Sequence, residues 1–572
     1  MPVDILHSKQ RYDANRSDRS VEEVVWDDIE KFIMPLSGTT AQSIDGSTPD
    51  QKTSIALWDL TAPLANEHLA SSLHGDITSP SSKWLDLEWM DAEVEQDHDA
   101  IVYREKLADL VWGELQASDF NMEIASGYLE WGGLGNMALV CEPTSKGPEW
   151  KGLDFTAVPI RQVVFEEDSK GGVLRWWRHL RWTAGQIVHH CEEEKGADGK
   201  SLYQAPEKYK RLAQVPGEAA TKHAVIFYIW RRPEVPDEVE GEVIPEKRPF
   251  GCCYFVLEDG VQLGEEGGYY RMPAVMGRWG KRPGTVWGYG RGHIALRAVK
   301  GLNYFKELQL NAGEKAVDPA MGATERVGQQ IDLRPGKVSV VPSKEDLWAI
   351  ESGARFDVSA EIIRDERVEI RRAFHEDDLQ LKESPQMTAT EVQARKDQMN
   401  RALGSPVGRL QTDVLSPIVM MVIDHLSRAR RLPPPPAIVK RKRAELSLRF
   451  RGPIARAQVM DEVVAIEREA GFIANLLKLG FSEARHYFNL GNAIKEHSKR
   501  LGVPTSVLNS DAEAKRRIAA EQAAMKAAQD AETMKTQGQA MQAGASAAAT
   551  AAAAGIPIGP QPALVPSGGV VS

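Results

Sequence analysis

The chain has 572 residues, with 81 Asp and Glu against 70 Lys and Arg, a formal net charge of −11 and four cysteines. That length supplies about four domains' worth of chain and a large buried core, while the acidic balance argues against a tight nucleic-acid binder. Cys141, Cys191, Cys252 and Cys253 are too few for a disulfide framework, and the expectation is assembly in a reducing cytoplasm.

The opening MPVDILHSKQRYDANRS lacks an apolar core of signal-peptide type, and outside the alanine-rich tail no stretch approaches ~18 uncharged apolar residues. The expectation is a protein neither secreted nor membrane-spanning. The part before Gly288 reads as mixed α and β. Ser54 to Ser72 is helical in pattern, Glu93 to Ala117 is a strong amphipathic helix, and MALVCEP (Met137 to Pro143) is a strand closed by proline. VVFEED, VLRWWRHLRW and HAVIFYIW (His223 to Trp230) read as antiparallel strands joined by charged loops. Trp176, Trp177, Trp182 and Trp230 belong to core or interface packing, because the bases of duplex DNA are already stacked and out of reach.

Three near-motifs for an enzyme fall in this part, and each fails. GSTPDQKT (Gly46 to Thr53) has Gln51 where a P-loop needs its second glycine, and no strand precedes it. GLGNMA (Gly133 to Ala138) fits a dinucleotide fingerprint, but a strand-like run follows where the phosphate-facing helix should begin. His189, His190 and Cys191 have no partner pair at metal-site spacing and read as a surface strand or loop. No catalytic grouping, cofactor or metal site is nominated.

After the turn GYGRG (Gly288 to Gly292), Ile294, Ala298, Leu302, Phe305, Leu308 and Ala312 recur at helical spacing. A helix from Arg291 to Glu314 follows, stopped by Asp318-Pro319. Within the compact insert that comes next, VSVV (Val338 to Val341) and LWAI (Leu347 to Ile350) read as strands. A second helix returns from Phe356 to His375 with a narrow stripe of Phe356, Ile363, Ile370 and Phe374 among many charges. So narrow a stripe predicts packing against copies of the same chain, with Ile294, Leu302, Phe305, Ile363, Ile370 and Phe374 between them. An acidic loop, His375 to Gln386, precedes TATEV (Thr388 to Val392), which opens a long helix with kinks near Ser405-Pro406 and Pro417.

PPPP (Pro433 to Pro436) introduces the most concentrated positive charge, Lys440, Arg441, Lys442 and Arg443, a run suited to packaged DNA, to a solvated face or to acidic neighbours. Helical patterns then cover Val459 to Lys478, Ser482 to Ile494 and Ala512 to Ala531. The tail from Met541 is mostly alanine before Pro557, and helix is expected to about Gln529 or beyond, then increasing disorder.

The collinear order of LASSLHGDITSPSSKWLDLEW (Leu69 to Trp89), GYGRG, TATEV, GRLQTDVLSPIVMMVIDHL (Gly408 to Leu426) and GPIARAQ (Gly452 to Gln458) resembles that of phage portal proteins, the head-to-tail connectors of short-tailed phages. The likeness runs from Val21 to Ser510. It implies an α+β subunit: a mixed α/β wing over 1–287, a stem helix over 288–314, a small clip over 315–354 and a return helix over 355–375. A tunnel loop over 376–387, a long kinked wing helix over 388–431, a helical crown over 432–508 and an Ala-rich C-terminal helix and tail over 509–572 complete it. The implied assembly is a homo-oligomeric ring, dodecameric in the family, at one capsid vertex of the virion, formed in the host cytoplasm. Double-stranded DNA passes through it without sequence preference. The implied partners are the terminase large subunit, tail or adaptor proteins at the clip, and capsid and scaffolding proteins. Glu376, Asp377, Asp378, Lys382, Glu383 and Gln386 are the expected channel constriction. A head-to-tail adaptor or other structural ring, and a nucleotide-dependent packaging enzyme, are the alternatives.

Overall fold

The computed structural model describes residues 4–553 except 36–56, 145–149, 170, 194–203, 237–238, 240, 242, 326–342, 351–355, 377–402, 443, 451–452, 482, 484–486, 502, 504–506 and 510. It separates into two compact units, Met1–Phe488 and Asn489–Ser572.

The first unit begins with α1 (Ile5–Phe32), started by the Asp4 carboxylate, which accepts the His7 N–H at 3.0 Å. Its buried residues Tyr12, Arg19, Trp26 and Ile29 keep one face on the core. α2 (Thr61–Ile77) starts later than the local pattern suggests because Asp59 accepts the Thr61 N–H. β1 (Leu85–Trp89) follows. The long amphipathic stretch is interrupted at Asp97, whose carboxylate caps Ala100, so α3 runs over His98–Ala117. α4 is Phe120–Gly133.

Two antiparallel sheets fill the middle of this unit. β2 (Asn136–Pro143) lies between β3 (Leu153–Ala157) and β9 (Ala274–Arg278). The second sheet is a five-stranded meander of β4 (Val163–Glu167), β5 (Val173–Thr183), β6 (Lys222–Arg231), β7 (Phe250–Val256) and β8 (Gln262–Tyr269). Trp176 and Trp177 are fully buried in it, and Trp177 stacks on Tyr228 at 5.0 Å between centroids. Exposed sheet edges invite unwanted pairing, and here side chains cover two of them, β3 and β8. On β3 and just beyond it, the N–H groups of Phe155, Ala157 and Ile160 donate to Asp119, Glu123 and Glu130 from α4 and its cap. On β8, the carbonyls of Gly267 and Gly268 accept from Arg232 and Arg248.

Between β5 and β6 lie α5 (Ala184–Glu193) and α6 (Glu207–Gln214). The expected strand or loop at His189 to Cys191 is therefore corrected to helix. Ala184, Ile187 and Cys191, three and four apart, are buried against Tyr209, Val225 and Leu263, and that packing selects the helix.

β10 (Gly280–Lys281) and β11 (Gly288–Tyr289) form a short ribbon leading into α7 (Arg291–Val317), which ends at Asp318 before Pro319. Of the insert, β12 (Met321–Ala323) pairs antiparallel with β13 (Leu347–Ala349), while the expected strand at Val338 to Val341 lies outside the described residues. α8 (Phe356–Ala373) packs along α7.

Residues 403–410 are helical, a widened π turn covers Gln411–Leu415, and α9 (Ser416–Arg428) continues. The Ser416 N–H reaches back to the Gln411 carbonyl because Pro417 has no N–H and its ring would clash with the carbonyl of Asp413. The kink expected near Pro417 falls where this π turn lies, and helix runs through Ser405-Pro406, where another was expected. α10 (Ala437–Lys442) and β14 (Leu446–Phe450) come next, and β14 pairs antiparallel with β1. α11 (Pro453–Lys478) closes the unit. Its end is a Schellman cap, with Phe481 N–H on the Leu476 carbonyl and Gly480 at φ +95°.

Among the described residues the second unit has two helices. α12 (Leu490–Leu501) begins at the Asn489 side chain, which accepts the Asn492 N–H, rather than at the expected Ser482. α13 (Asp511–Ala553) carries helix through the alanine tract, as its high intrinsic propensity favours.

Candidate assembly and channel site

The helix pair α7 and α8 is built from its root upward. Gly288 to Gly292 meets Gly132 to Gly135 backbone to backbone: a Cβ on Gly135, Gly290 or Gly292 would collide with main-chain atoms of the other segment, and Gly135 itself sits at φ +77°. Asn136 clamps the pair, accepting the Gly288 N–H at 2.7 Å and donating to the Gly288 carbonyl at 3.1 Å. Burial, with Arg282 nearby, lowers His293 to about 4, so its ring is neutral and Nδ1 accepts the Gly290 N–H at 3.2 Å. The apparent dinucleotide fingerprint at Gly133 to Ala138 is thus half of a joint that holds the start of α7.

Above the joint, Ala295, Ala298, Val299 and Leu302 face the core. The segment before α2 crosses the helix pair. Asn303 Oδ1 accepts the N–H of Trp58 at 2.9 Å, and Arg367 of α8 donates to Asp59 through Nη2 at 2.6 Å. Burial alone would push the Asp59 carboxyl up, but hydrogen bonds from Thr61 and Arg367 outweigh it and hold it below its usual range.

This crossing corrects an expectation. Ile363 is 5% exposed and Ile370 and Phe374 are 0% exposed within a single copy, and Leu302 is buried as well. Phe305 is half-buried against the same core. Within the same copy α8 packs along α7 and against α2, and Ile363, Ile370 and Phe374 are buried there by contacts that local periodicity does not reveal. Of the six residues expected between copies, Ile294 alone is exposed, at 53%. With it on the side of α7 away from the core are Tyr304 at 59% and Leu308 at 43%, apolar positions that sequence reading either passed over or assigned to the buried face.

At the far end of α8, His375 takes a left-handed conformation at φ +57° and turns the chain into Glu376, which lies 3.7 Å from Arg371. Asp377, Asp378, Lys382, Glu383 and Gln386 lie outside the described residues, as does TATEV. In the basic run, Lys442 is held by Asp91 at 3.2 Å and by Glu93. Lys440 and Arg441 are exposed, and Arg443 is outside the described residues. Acidic neighbours, not an open basic face, account for Lys442. Among the described residues no group of three or more His, Cys, Asp or Glu is arranged to hold a metal ion, and no helix is long and apolar enough to cross a membrane.

A helix pair welded at one end to an α+β body, with apolar side chains left on its outer side, is the anatomy of a structural subunit made to meet other chains. The bacteriophage head to tail connecting protein family matches residues 7–508, and this chain belongs to that family. It is 23% identical over 486 residues to a probable portal protein of Bordetella phage BPP-1, covering 82% of this chain and 81% of that protein. It is also 23% identical over 509 residues to the portal protein of Salmonella phage epsilon15, covering 86% of each.

Proposed function

We propose that this chain is a portal subunit: copies close into a dodecameric ring at one capsid vertex, and double-stranded DNA moves through the central channel during packaging and ejection. In this reading α7 and α8 form the stem, the β12–β13 insert forms the clip that meets terminase and later tail or adaptor proteins, and residues 376–386 border the channel. Capsid and scaffolding proteins contact the outer body. The subunit does no bond chemistry, and the ATP-driven work belongs to the terminase.

The observation that carries the reading is the outward line of Ile294, Tyr304 and Leu308 on α7, which one copy leaves in water. Burying what one copy leaves exposed of such side chains is worth roughly 1 kcal/mol each. The acidic balance of the chain, −11 in formal charge, supports passage of DNA rather than retention, since phosphate contacts made through counterion release would impede sliding. Electron microscopy of the purified protein tests it. Rings with a hole wide enough for duplex DNA are expected, and a monomer or compact dimer at assembly concentrations would overturn it.

A further inference from the structure

Among the described side chains of α11 only Val463 is buried, and from Val464 to Phe481 the chain covers no residue fully. Helices in water draw most of their stability from packing of an apolar face, so this one calls for a partner. The face is regular. Val463, Ile466, Ala470, Ile473 and Leu477 follow one another at three, four, three and four residues, the 3.5-residue period of a coiled-coil seam. Ile466, Ala470 and Ile473 are half-buried and Leu477 is exposed, while Phe472 and Leu476 widen the apolar surface toward the C-terminal end. The edges of the seam are acidic. With Val463 and Ala470 at the a positions, Glu467 takes an e position and Glu462 and Glu469 take g positions, and all three are exposed. Arg468, the one arginine of this stretch, falls on the far side of the helix.

Two copies of α11 laid together would set these glutamates against one another in either orientation. Parallel pairing brings Glu462 to Glu467, and antiparallel pairing brings g positions to g positions, glutamate to glutamate. A helix with bases at its own e and g positions instead meets attraction along both edges. We infer that the seam of α11 is a docking site for an amphipathic helix of another protein, apolar at its heptad core positions and flanked by Lys or Arg. The site uses neither α7 nor its outward line, so it stands or falls separately from the ring reading.

Two fluorescent peptides of about three heptads test it, both with Ile at a and Leu at d, one with Lys and the other with Glu at e and g. Each is titrated into the full chain and followed by anisotropy. The Lys peptide is expected to bind at least roughly tenfold more tightly, because attraction along both edges replaces repulsion. Glu467→Lys with Glu469→Lys, both at exposed positions, is expected to remove that preference. Ile473→Asp with Leu477→Asp makes the chain more acidic, yet it is expected to release the Lys peptide while circular dichroism stays that of the wild type. That variant separates binding at the seam from attraction to net charge. If it loses helix, Leu477→Asp alone, at an exposed position, replaces it. Equal affinity for the two peptides, no binding of either, a preference that survives the lysine changes, or a Lys peptide held as tightly by the aspartate variant overturns the inference. Disulfide-linked chains formed on oxidation of Ala470→Cys would place a second copy in the seam and overturn it as well.

Discussion

Gly290 lies against Gly135 so closely that a Cβ on Gly290 would stand 2.5 Å from the Gly135 nitrogen and 2.5 Å from the Gly132 oxygen. No side chain can shift to make room, because main-chain atoms are in the way. Gly290→Ala is expected to destabilise the first unit by roughly 1–3 kcal/mol through overpacking. Gly135→Ala adds about 1–2 kcal/mol for a left-handed residue with a Cβ. Urea unfolding of each variant measures this, and a midpoint unchanged from wild type would contradict the joint.

The Asp59–Arg367 pair gives a pH signature. The folded carboxyl titrates below its unfolded value of about 3.9. Its stabilisation is therefore complete above that value and is lost as pH falls through the lower folded one. Asp59→Asn is expected to cost about 2 kcal/mol near neutrality, mostly from charge-assisted hydrogen bonds, and progressively less toward about pH 3. Thermal melts of both proteins across that range would show the gap closing; a gap independent of pH would rule out the carboxylate as its source.

Two helix ends share one cap with different residues in it. α11 places Gly480 in the left-handed position, whereas α9 places Arg430 there at φ +55°, with Arg431 N–H on the Leu426 carbonyl at 2.9 Å. Arg430→Gly is expected to stabilise by about 1 kcal/mol, and Gly480→Ala to destabilise by about as much. Shifts of melting temperature in opposite directions are the readout.

Tyr304→Glu together with Leu308→Glu alters exposed positions of α7, so the isolated subunit should stay within about 0.5 kcal/mol of wild type. Ring formation should fail. Sedimentation velocity separates the two effects, and intact rings from this variant would remove the outward line from the proposed interface.

Deleting residues 377–386 should leave ring assembly intact and impair packaging or retention of DNA. Full-head yield in a complementation assay is the measure, and normal yield would refute a channel role for this loop.

Much of the first unit's secondary structure was legible locally. Alternating aromatic and β-branched runs marked β4, β5 and β6, and the spacing of Ile294, Ala298 and Leu302 marked α7. What local pattern missed is tertiary. Nothing near Ile363 announces how α8 will pack on α7 and α2, and GLG reads as part of a failed dinucleotide fingerprint and GYGRG as a turn until they meet. The helix at Ala184 to Glu193 did carry a signal in Ala184, Ile187 and Cys191, but the adjacent histidines and glutamates suggested a polar surface. Of the expected channel residues, only Glu376 falls within the described structure.

The pairing of β1 with β14 joins Leu85 to Phe450, and it has a bearing on biosynthesis. A nascent chain emerges from its N-terminal end, so β1 waits without its partner strand until almost the whole first unit has left the ribosome. Chains terminated before Leu446 lack that partner strand. Only chains translated beyond Phe450 would then have β1 paired, a built-in check on quality for a subunit of the proposed ring.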